Sequence, residues 1–322
     1  MPAGEEGPVW LIAGAWKATY KNNVTTIIFL GFQNMGKLNI LFFTFVLTIY
    51  CVTLCGNFLI VVLVSCSKTL HSPMYFFLTQ LSIADVILIT DVAPNILSLL
   101  LHEWTSMSFS GCISQYYFFG STETFECFLL TVMSYDRYLA ICSPLHYGVI
   151  MDHTLCTELI LASWVLSFLF ALALTLAICQ LQFCGPNSID HFFCDFNPLV
   201  KLSCSDVSKV RLELTLLCIP VIFVPFLMIL ISYIYIVLTV LKISSISGRQ
   251  KTFSTCGSHL AIVCIFYGTL MSIYMIPKEG QSKIISKIFP MLYTIGTPFL
   301  NPLIYTLRNK VITEALRKAL YN

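Results

Sequence analysis

The sequence predicts an all-α membrane protein, a seven-helix transmembrane bundle followed by a short amphipathic helix. Three observations indicate this fold class. The 322-residue chain contains only 11% charged residues, against about 25% in an average soluble domain. Its mean hydropathy is +0.83. Its apolar residues form long blocks between short polar segments, without the two-residue alternation of membrane β-strands.

Seven apolar blocks are long enough to cross a bilayer as helices, which takes about 20 residues each. Helices are expected because a backbone in lipid must satisfy its own hydrogen bonds. The predicted spans run approximately from Leu38 to Val64, Met74 to Leu101, Ile113 to Ile141, Leu159 to Cys179, Leu212 to Leu241, Leu260 to Ile276 and Ile284 to Leu307. The chain therefore divides into an uncleaved N-terminal tail (1–37), a seven-transmembrane domain (38–308) and a C-terminal tail (309–322), with a cleaved signal peptide as the alternative for the first residues.

The segment after the seventh span, LRNKVITEALRKAL, has an apolar and a charged face at helical spacing. The apolar residues are Val311, Ile312, Ala315, Leu316 and Ala319, and the charged residues opposite are Lys310, Glu314, Arg317 and Lys318. This pattern predicts an amphipathic helix that lies on the lipid surface. A short frayed tail is the alternative.

Two features predict the orientation of the bundle. An N-glycosylation sequon begins at Asn23, ahead of the first span. Cys184, Cys194 and Cys204 lie in the longest loop, on the same side as Cys112. Disulfides belong to an oxidising compartment, so we expect the N-terminus and this loop outside the cell and the C-terminal tail in the cytosol. These four cysteines allow three pairings, and their spacing selects none.

The stretch VMSYDRYLAIC places an acid and a base together at the end of the third span. The stem of Arg137 can lie along apolar surface while its guanidinium reaches water, and Asp136 offers it a partner. Such a pair can hold one state of the bundle and release Arg137 to a cytosolic partner. The alternative is an interfacial anchor that only fixes the depth of the helix.

Three acids lie inside predicted spans, Asp85 in the second and Glu123 and Glu126 in the third. Acids within a membrane usually face the bundle interior and have a function. Glu123 and Glu126 are three residues apart on one helical face, with Glu123 nearer the outside. Glu123 is therefore a candidate ligand contact. The alternative is a protonated acid that forms a hydrogen bond within the bundle.

Six stretches in order along the chain carry a family resemblance. They are GNFLIV, HSPMYFFLTQLSIAD, MSYDRYLAICSPLHY, the SY pair at 232–233, KTFSTCGSHL and PFLNPLIYTLRN. Together they resemble the odorant receptors, a branch of the rhodopsin-like G-protein-coupled receptors, over roughly residues 23–318. KTFSTCGSHL is the most discriminating. Ser134 and Thr252 stand where the family usually has Ala, and the N-terminal tail is longer than usual, but no charged position changes.

The resemblance implies roles for the residues nearest the cytosol. Asp136, Arg137 and Tyr138 would face the G protein after outward movement of the sixth helix. The implied switch residues are Tyr233, Asn301, Pro302 and Tyr305, and the implied latch at the start of the sixth helix is Lys251 with His259. The structural alternatives are interfacial aromatics for the two tyrosines and a simple helix kink for the Asn-Pro pair.

The resemblance also implies the disulfides and a polar site. Cys112 would pair with Cys194, and Cys184 with Cys204. Asp85 and Glu126 would form a sodium or polar-network site. The ligand site would lie in the outer half of the bundle, mostly apolar with a few polar groups, and its expected lining is Phe119, Glu123, Thr124, Leu217, Val221, Tyr267, Leu270, Tyr274 and Thr294.

The implied function is a plasma-membrane receptor for small, mostly apolar volatile molecules that activates a stimulatory heterotrimeric G protein and raises cyclic AMP, without a cofactor. One alternative is a rhodopsin-like receptor for a non-odorant small molecule. A proton-coupled transporter that uses Asp85, Glu123 and Glu126 is a second, but no internal repeat is visible. An enzyme is disfavoured because hydrolase and phosphate-loop motifs are missing, and no basic stripe predicts a nucleic-acid partner.

Overall fold

The computed structural model describes residues 24–31, 38–102, 104–184, 186–275 and 285–321. Within these residues the chain forms the predicted bundle and the helix after it. The helices are α1 (Leu38–Cys66), α2 (Pro73–Leu101), α3 (Phe109–Cys142), α4 (His153–Cys179), α5 (Ser208–Leu241), α6 (Ile246–Met275), α7 (285–308) and α8 (Lys310–Tyr321). Short helices Lys68–Leu70, Pro144–Ile150 and Phe196–Lys201 lie in the connections.

Several helices begin earlier than their apolar blocks. Helix α6 starts at Ile246 rather than near Leu260, because its polar first turns continue the same helix beyond the apolar section. Helix α4 starts at His153, where the Asp152 side chain accepts a hydrogen bond from the Leu155 backbone N–H at 2.8 Å. This N-cap fixes the start of α4. Hydropathy therefore located the apolar core of each helix and missed its polar ends.

The outward surfaces of the bundle are apolar. Helices α1, α2, α4 and α5 are each long and apolar enough to cross a membrane, and α6 contains the shorter apolar section Cys256–Ser272. Large side chains such as Leu41 and Leu227 are more than half exposed on these surfaces. Apolar cover of this extent suits lipid rather than water.

Helix α3 lies at the centre of the bundle and contacts α2, α4, α5 and α6, while α7 packs on α1, α2 and α6. Where α1 crosses α7, Gly56 faces Pro302, and a Cβ atom at Gly56 would lie 3.1 Å from the Pro302 Cβ. Nearby, the Asn57 side chain donates to the backbone oxygens of Thr53 at 3.0 Å and of Pro298 at 3.3 Å. Glycine and asparagine therefore allow a close α1–α7 contact.

Two helices contain a π-helical turn, Ile219–Phe223 in α5 and Leu292–Gly296 in α7. Each turn contains or precedes a proline, which lacks the N–H that a regular α-helix needs. The turn in α5 begins directly after Cys218 and includes Val221. It therefore changes the direction of the α5 side chains that face α3.

One end of the bundle, called here the sheet end, carries a three-stranded sheet of order β2-β1-β3. Strand β1 (Thr26–Phe29) pairs antiparallel with β2 (Thr105–Ser108) and parallel with β3 (Ser188–Ile189). Ile27 and Phe29 are fully buried. No strand was predicted in the N-terminal tail, and the predicted glycosylation residue Asn23 lies outside the described residues.

Covalent and ionic links hold the sheet end together. Cys112 is bonded to Cys194, and Cys184 to Cys204, the pairing that the resemblance implies. The Lys287 ammonium of α7 donates to the Gly31 carbonyl and to the Asp190 carboxylate, both at 2.5 Å. The tail, the long loop and α7 are therefore joined at this end.

Helix α8 packs at the opposite end, called here the Arg137 end. The Asn309 side chain caps it by accepting from the Val311 backbone N–H at 3.1 Å, and the Tyr75 hydroxyl donates to the same oxygen at 3.4 Å. Ile312 and Ala315, two residues of the predicted apolar face, are buried against the rest of the chain, and contact of this helix with lipid stays a prediction. Val311, which was expected on the same apolar face, is 43% exposed.

Candidate functional site

At the Arg137 end, Asp136 is held by two side chains. The Arg137 Nε donates to Asp136 Oδ2 at 2.9 Å, and Arg137 Nη2 contacts the same oxygen. The Tyr147 hydroxyl donates to Asp136 Oδ1 at 2.8 Å. Arg137 is only 8% exposed and Asp136 1%. The expectation that the guanidinium reaches water is therefore wrong, because helices packed around α3 enclose it with its partner.

Tyr147 was not among the predicted site residues, although it ends the SPLHY part of a recognised motif. It lies in the short helix Pro144–Ile150, which follows α3 directly. Burial, and next the negative charge of Asp136, raise the pKa of the Tyr147 phenol above its ordinary value. Tyr147 therefore stays protonated at neutral pH and remains a hydrogen-bond donor. The three residues Asp136, Arg137 and Tyr147 are called the clasp below.

Helices α5 and α6 meet beside the clasp. The Tyr233 hydroxyl and His259 Nδ1 form a hydrogen bond of 2.7 Å, and the two rings stack 5.8 Å apart. Tyr138 packs on the buried cluster of Ile236, Val240 and Cys256 from the same two helices. The side chain of Lys251, the other half of the expected latch, lies outside the described residues. This contact therefore joins α5 to α6 through His259.

A buried polar layer lies further along α3. The Asn301 side chain donates to both Asp85 oxygens, at 2.9 Å and 3.2 Å, and both residues are buried. Glu126 is fully buried, and neither of its carboxyl oxygens has a hydrogen-bond partner among the described residues. No group of three potential metal ligands occurs in the described part of the chain. Hydrogen bonds therefore join α2 to α7 in this layer, and Glu126 of α3 lies close enough to Asp85 to interact with it electrostatically.

Pro302 and Tyr305 lie on the part of α7 that follows this layer. Pro302 is inside the helix and packs on Gly56. Tyr305 is only 3% exposed. This burial excludes the alternative of a lipid-interface aromatic for Tyr305, because such residues face the headgroups.

A cavity of about 80 Å³ lies between α3, α4 and α5, nearer the sheet end. Five predicted ligand contacts line it, namely Phe119, Glu123, Thr124, Leu217 and Val221. The other lining residues include Tyr116 of α3 and Cys218 of α5. This volume is small for a ligand pocket, so it suits a compact molecule.

The other predicted contacts lie elsewhere. Tyr267, Leu270 and Thr294 are buried but do not line this cavity, because α6 and α7 do not border it. Tyr267 packs on Phe226 with ring centres 4.9 Å apart. The side chain of Tyr274 lies outside the described residues. Ligand binding by any of the nine residues stays a prediction.

Two walls of the cavity were not predicted. Helix α4 contributes Phe170, Ala171 and Leu174, and the loop after Cys194 contributes Asp195 and Phe196. In the sequence these residues look like any core or loop position. The only signal for Asp195 was its place beside Cys194 in the cysteine-rich loop.

The loop is fixed over the cavity by Gln115 of α3. The Gln115 Oε1 accepts a hydrogen bond from the Cys194 backbone N–H at 2.9 Å, and its Nε2 donates to the Asp91 backbone oxygen at 2.7 Å. The Cys112–Cys194 disulfide ties the same loop residue to α3. The hydrogen bond and the disulfide of Cys194 therefore hold the next residue, Asp195, at the cavity.

The cavity, the polar layer and the clasp follow one another along α3. Fourteen residues separate Glu123 from Arg137, or about 21 Å of helix at about 1.5 Å per residue. Glu126 lies between them. A shift of α3 at the cavity is therefore able to reach the clasp through a single rigid element.

Comparison with known proteins identifies relatives over almost the whole chain. A family model described as olfactory receptor matches residues 45–322. The chain is 46% identical over 299 residues to olfactory receptor 11L1 of Homo sapiens, and the matched region covers 93% of this chain and 93% of the relative. It is 44% identical to olfactory receptor 11A1 of Homo sapiens, over 94% of this chain and 96% of the relative. Olfactory receptor 5P76 of Mus musculus is 46% identical, over 92% of this chain and 95% of its own.

Proposed function

Because the chain belongs to the olfactory receptor family, we propose that it binds a small, mostly apolar volatile molecule and activates a stimulatory heterotrimeric G protein, which raises cyclic AMP. The family is one of signalling receptors rather than enzymes, and its members are multi-pass plasma-membrane proteins. The observation that carries the proposal is the pairing, on one central helix, of a small cavity and a closed charge clasp. Membrane lipid surrounds the bundle.

In this proposal the sheet end faces the outside of the cell. Two disulfides lie there, and disulfides persist in oxidising compartments. The clasp and α8 then face the cytosol, where a G protein is available. Cavity and clasp therefore serve opposite sides of the membrane.

The clasp of the described state is closed. Arg137 and Tyr147 each donate to a different oxygen of the buried Asp136 carboxylate. Separation of this ion pair is costly unless a new partner takes the place of Asp136 or Arg137. A G protein supplies such contacts to Arg137 once α6 moves away from α3. The Tyr233–His259 hydrogen bond moves with α5 and α6 and sets the distance between their ends.

A ligand shifts this equilibrium only by its difference in affinity for the two states. The cavity is bounded by α3 and by the π-helical turn of α5, so a molecule there contacts both helices. We propose that the active state gives it better contacts. In this proposal the polar layer transmits the change, because hydrogen bonds join Asp85 of α2 to Asn301 of α7 and the buried Glu126 carboxyl of α3 lies close enough to Asp85 to interact electrostatically.

A cyclic AMP screen tests the proposal. Cells that express the chain with a surface tag are exposed to a panel of volatile molecules, beside mock-transfected cells and cells that lack the stimulatory Gα subunit. We expect at least one volatile to raise cyclic AMP only where both proteins are present. A response that persists without the stimulatory Gα subunit would contradict the proposed coupling.

A further inference from the structure

The cavity beside α3 has room for a compact molecule or for part of a longer one. Its volume is about 80 Å³, whereas a protein cavity of about 150 Å³ holds one benzene molecule. The cavity is partly open rather than enclosed. A molecule longer than the cavity can therefore bind if the rest of it extends through the opening.

Two sides of the cavity are covered by buried residues. At the sheet end, the loop between α4 and α5 covers it with Phe193 and Phe196, which are 1% and 5% exposed. The Phe193 ring packs on the Phe119 ring of α3, with centres 4.9 Å apart. On the inner side, Thr124 and Cys127 of α3 line the cavity and are 8% and 0% exposed. The remaining side lies between α4 and α5.

The lining residues on this remaining side are partly exposed. They are Phe170 and Leu174 of α4, and Leu214 and Cys218 of α5. Helix α4 packs mainly on Ser208–Cys218 of α5, which ends where the π-helical turn begins. The cavity therefore opens where the two helices separate, and this opening is called the α4–α5 gap below.

The surface around the α4–α5 gap is apolar. Leu172 and Leu176 of α4 are 41% and 43% exposed, and Ile219 and Phe223 of α5 are 49% and 48% exposed. Exposed side chains of this kind on a membrane helix face lipid. The gap therefore leads from the cavity into the bilayer rather than into water.

The polar and apolar walls of the cavity lie on different sides. Glu123 and Thr124 belong to α3, whereas the lining residues of α4 and α5 are apolar side chains and Cys218. A polar group is costly to bury without a hydrogen-bond partner. The polar end of a bound molecule is therefore expected at α3, with its carbon chain directed toward the α4–α5 gap.

We infer that single-chain apolar molecules with one polar end enter this cavity from the bilayer through the α4–α5 gap, and that the end of a long chain stays in the gap. Such molecules concentrate in lipid because their chains leave water. Chain length is then limited by the bilayer and not by the volume of the cavity. The inference rests on the proposed function, because it specifies the ligand class of the proposed receptor site.

Photolabelling with two alcohols of different length tests the gap. Butanol and dodecanol, each with a diazirine on the third carbon, are added to the purified full-length receptor in lipid nanodiscs at equal mole fraction in the lipid. Labelled residues are identified by peptide mass spectrometry. We expect both alcohols to label Thr124, which is buried on α3, and an excess of the same alcohol without diazirine to prevent this labelling.

A larger side chain in the gap should discriminate between the two lengths. Leu174→Trp narrows the gap, so we expect it to reduce Thr124 labelling by the dodecanol probe at least about tenfold more than labelling by the butanol probe. Leu172→Trp is the matched control, because Leu172 lies on the same helix, faces outward and does not line the cavity. It should leave both labelling yields unchanged.

A second pair of variants repeats the test from α5 if Leu174→Trp does not fold. Leu214→Trp changes a lining residue, and Leu216→Trp makes the same change at a position that is 56% exposed and outside the cavity. We expect Leu214→Trp to act on the dodecanol probe and Leu216→Trp to act on neither.

The outcomes separate this inference from the proposed function. If dodecanol labels Thr124 but no volatile raises cyclic AMP, the proposed function fails and the entry from lipid stands. If volatiles raise cyclic AMP but dodecanol does not label Thr124, the entry from lipid fails and the receptor function stands. Equal effects of the folded gap variants on both alcohols, or labelling of Thr124 that excess alcohol does not prevent, would also overturn the inference.

Discussion

Each oxygen of the Asp136 carboxylate has its own donor. Arg137 supplies the charge, and Tyr147 supplies a neutral hydrogen bond at 2.8 Å. A buried ion pair adds little net stability over apolar packing, but the loss of one partner is strongly unfavourable. The clasp is therefore better suited to holding one state than to stabilising the fold. Tyr147 adjusts how firmly that state is held.

Replacement of Tyr147 by Phe tests this role. Tyr147→Phe removes one hydrogen bond to a charged group, worth about 1.5–3 kcal/mol, only in the closed state. We expect basal cyclic AMP, normalised to surface expression, to rise several-fold. Tyr135→Phe is the matched control, because Tyr135 lies on α3 beside the clasp with 39% of its surface exposed. Equal basal activity in wild type and Tyr147→Phe would remove Tyr147 from the clasp.

Contacts between helices depend on a few small or polar residues. Gly56 lets α1 approach Pro302 of α7. Because Pro302 has no backbone N–H, the Pro298 carbonyl one turn earlier has no helical donor, and the Asn57 side chain donates a hydrogen bond to it instead. Small residues at such crossings are typical of membrane helices, where close packing replaces the hydrophobic effect. The GNFLIV motif therefore has a packing reason in this chain.

Addition of one methyl group tests this crossing. Gly56→Ala would place a Cβ atom 3.1 Å from the Cβ and 3.3 Å from the Cγ of the rigid Pro302 ring. Overpacking of this kind costs about 1–3 kcal/mol, so we expect a lower unfolding temperature in detergent. Gly268→Ala in α6 is the control, since no atom lies within 4 Å of its added Cβ. Equal unfolding temperatures of the two variants would contradict a tight contact between Gly56 and Pro302.

At the level of elements, the sequence predicted the helices and not the sheet. Apolar length alone located α1 and α2 to within a few residues, because lipid demands such blocks. The polar beginning of α6 from Ile246 carried no such signal. Strand β1 is four residues long, and its partners Thr105–Ser108 and Ser188–Ile189 are far away in the chain. Pairing over such distances leaves no local pattern.

The functional site was predictable on α3 and not beyond it. Glu123, Asp136 and Arg137 were identified because charge is rare in this chain. Phe170 of α4 was missed because an apolar residue in an apolar helix gives no sign of which way it faces. Asp195 was missed because only the folded loop brings it to Glu123.

Across the described part of the molecule, two disulfides lie at the sheet end and none lies at the Arg137 end. The sheet, two disulfides and the Lys287 contacts to Gly31 and Asp190 join three chain segments at one end. At the Arg137 end, the Cys142 thiol lies 3.2 Å from the Thr239 hydroxyl and joins α3 to α5, while the Tyr233–His259 hydrogen bond joins α5 to α6. Movement is therefore expected at the clasp, while the sheet end keeps its shape.

Peptide mapping of the non-reduced protein tests the covalent part of this contrast. We expect one cross-linked peptide pair that contains Cys112 and Cys194, and another that contains Cys184 and Cys204. Cys112→Ser should lower surface expression strongly, because removal of a native disulfide costs about 2–5 kcal/mol. Cys264→Ser, at a free and exposed cysteine of α6, is the control. Recovery of any other pairing would contradict this description of the sheet end.

We propose that a molecule bound in the cavity beside α3 opens the clasp to a G protein. This proposal is tested most directly by GDP release from a purified stimulatory heterotrimer mixed with the receptor in lipid nanodiscs, with and without the most potent volatile from the cyclic AMP screen. We predict that the volatile accelerates GDP release by the wild-type receptor and that Arg137→Ala returns the rate to that of the heterotrimer alone, although the variant still binds the volatile. Undiminished acceleration by Arg137→Ala, or binding by the wild type without any change in GDP release, would contradict the account.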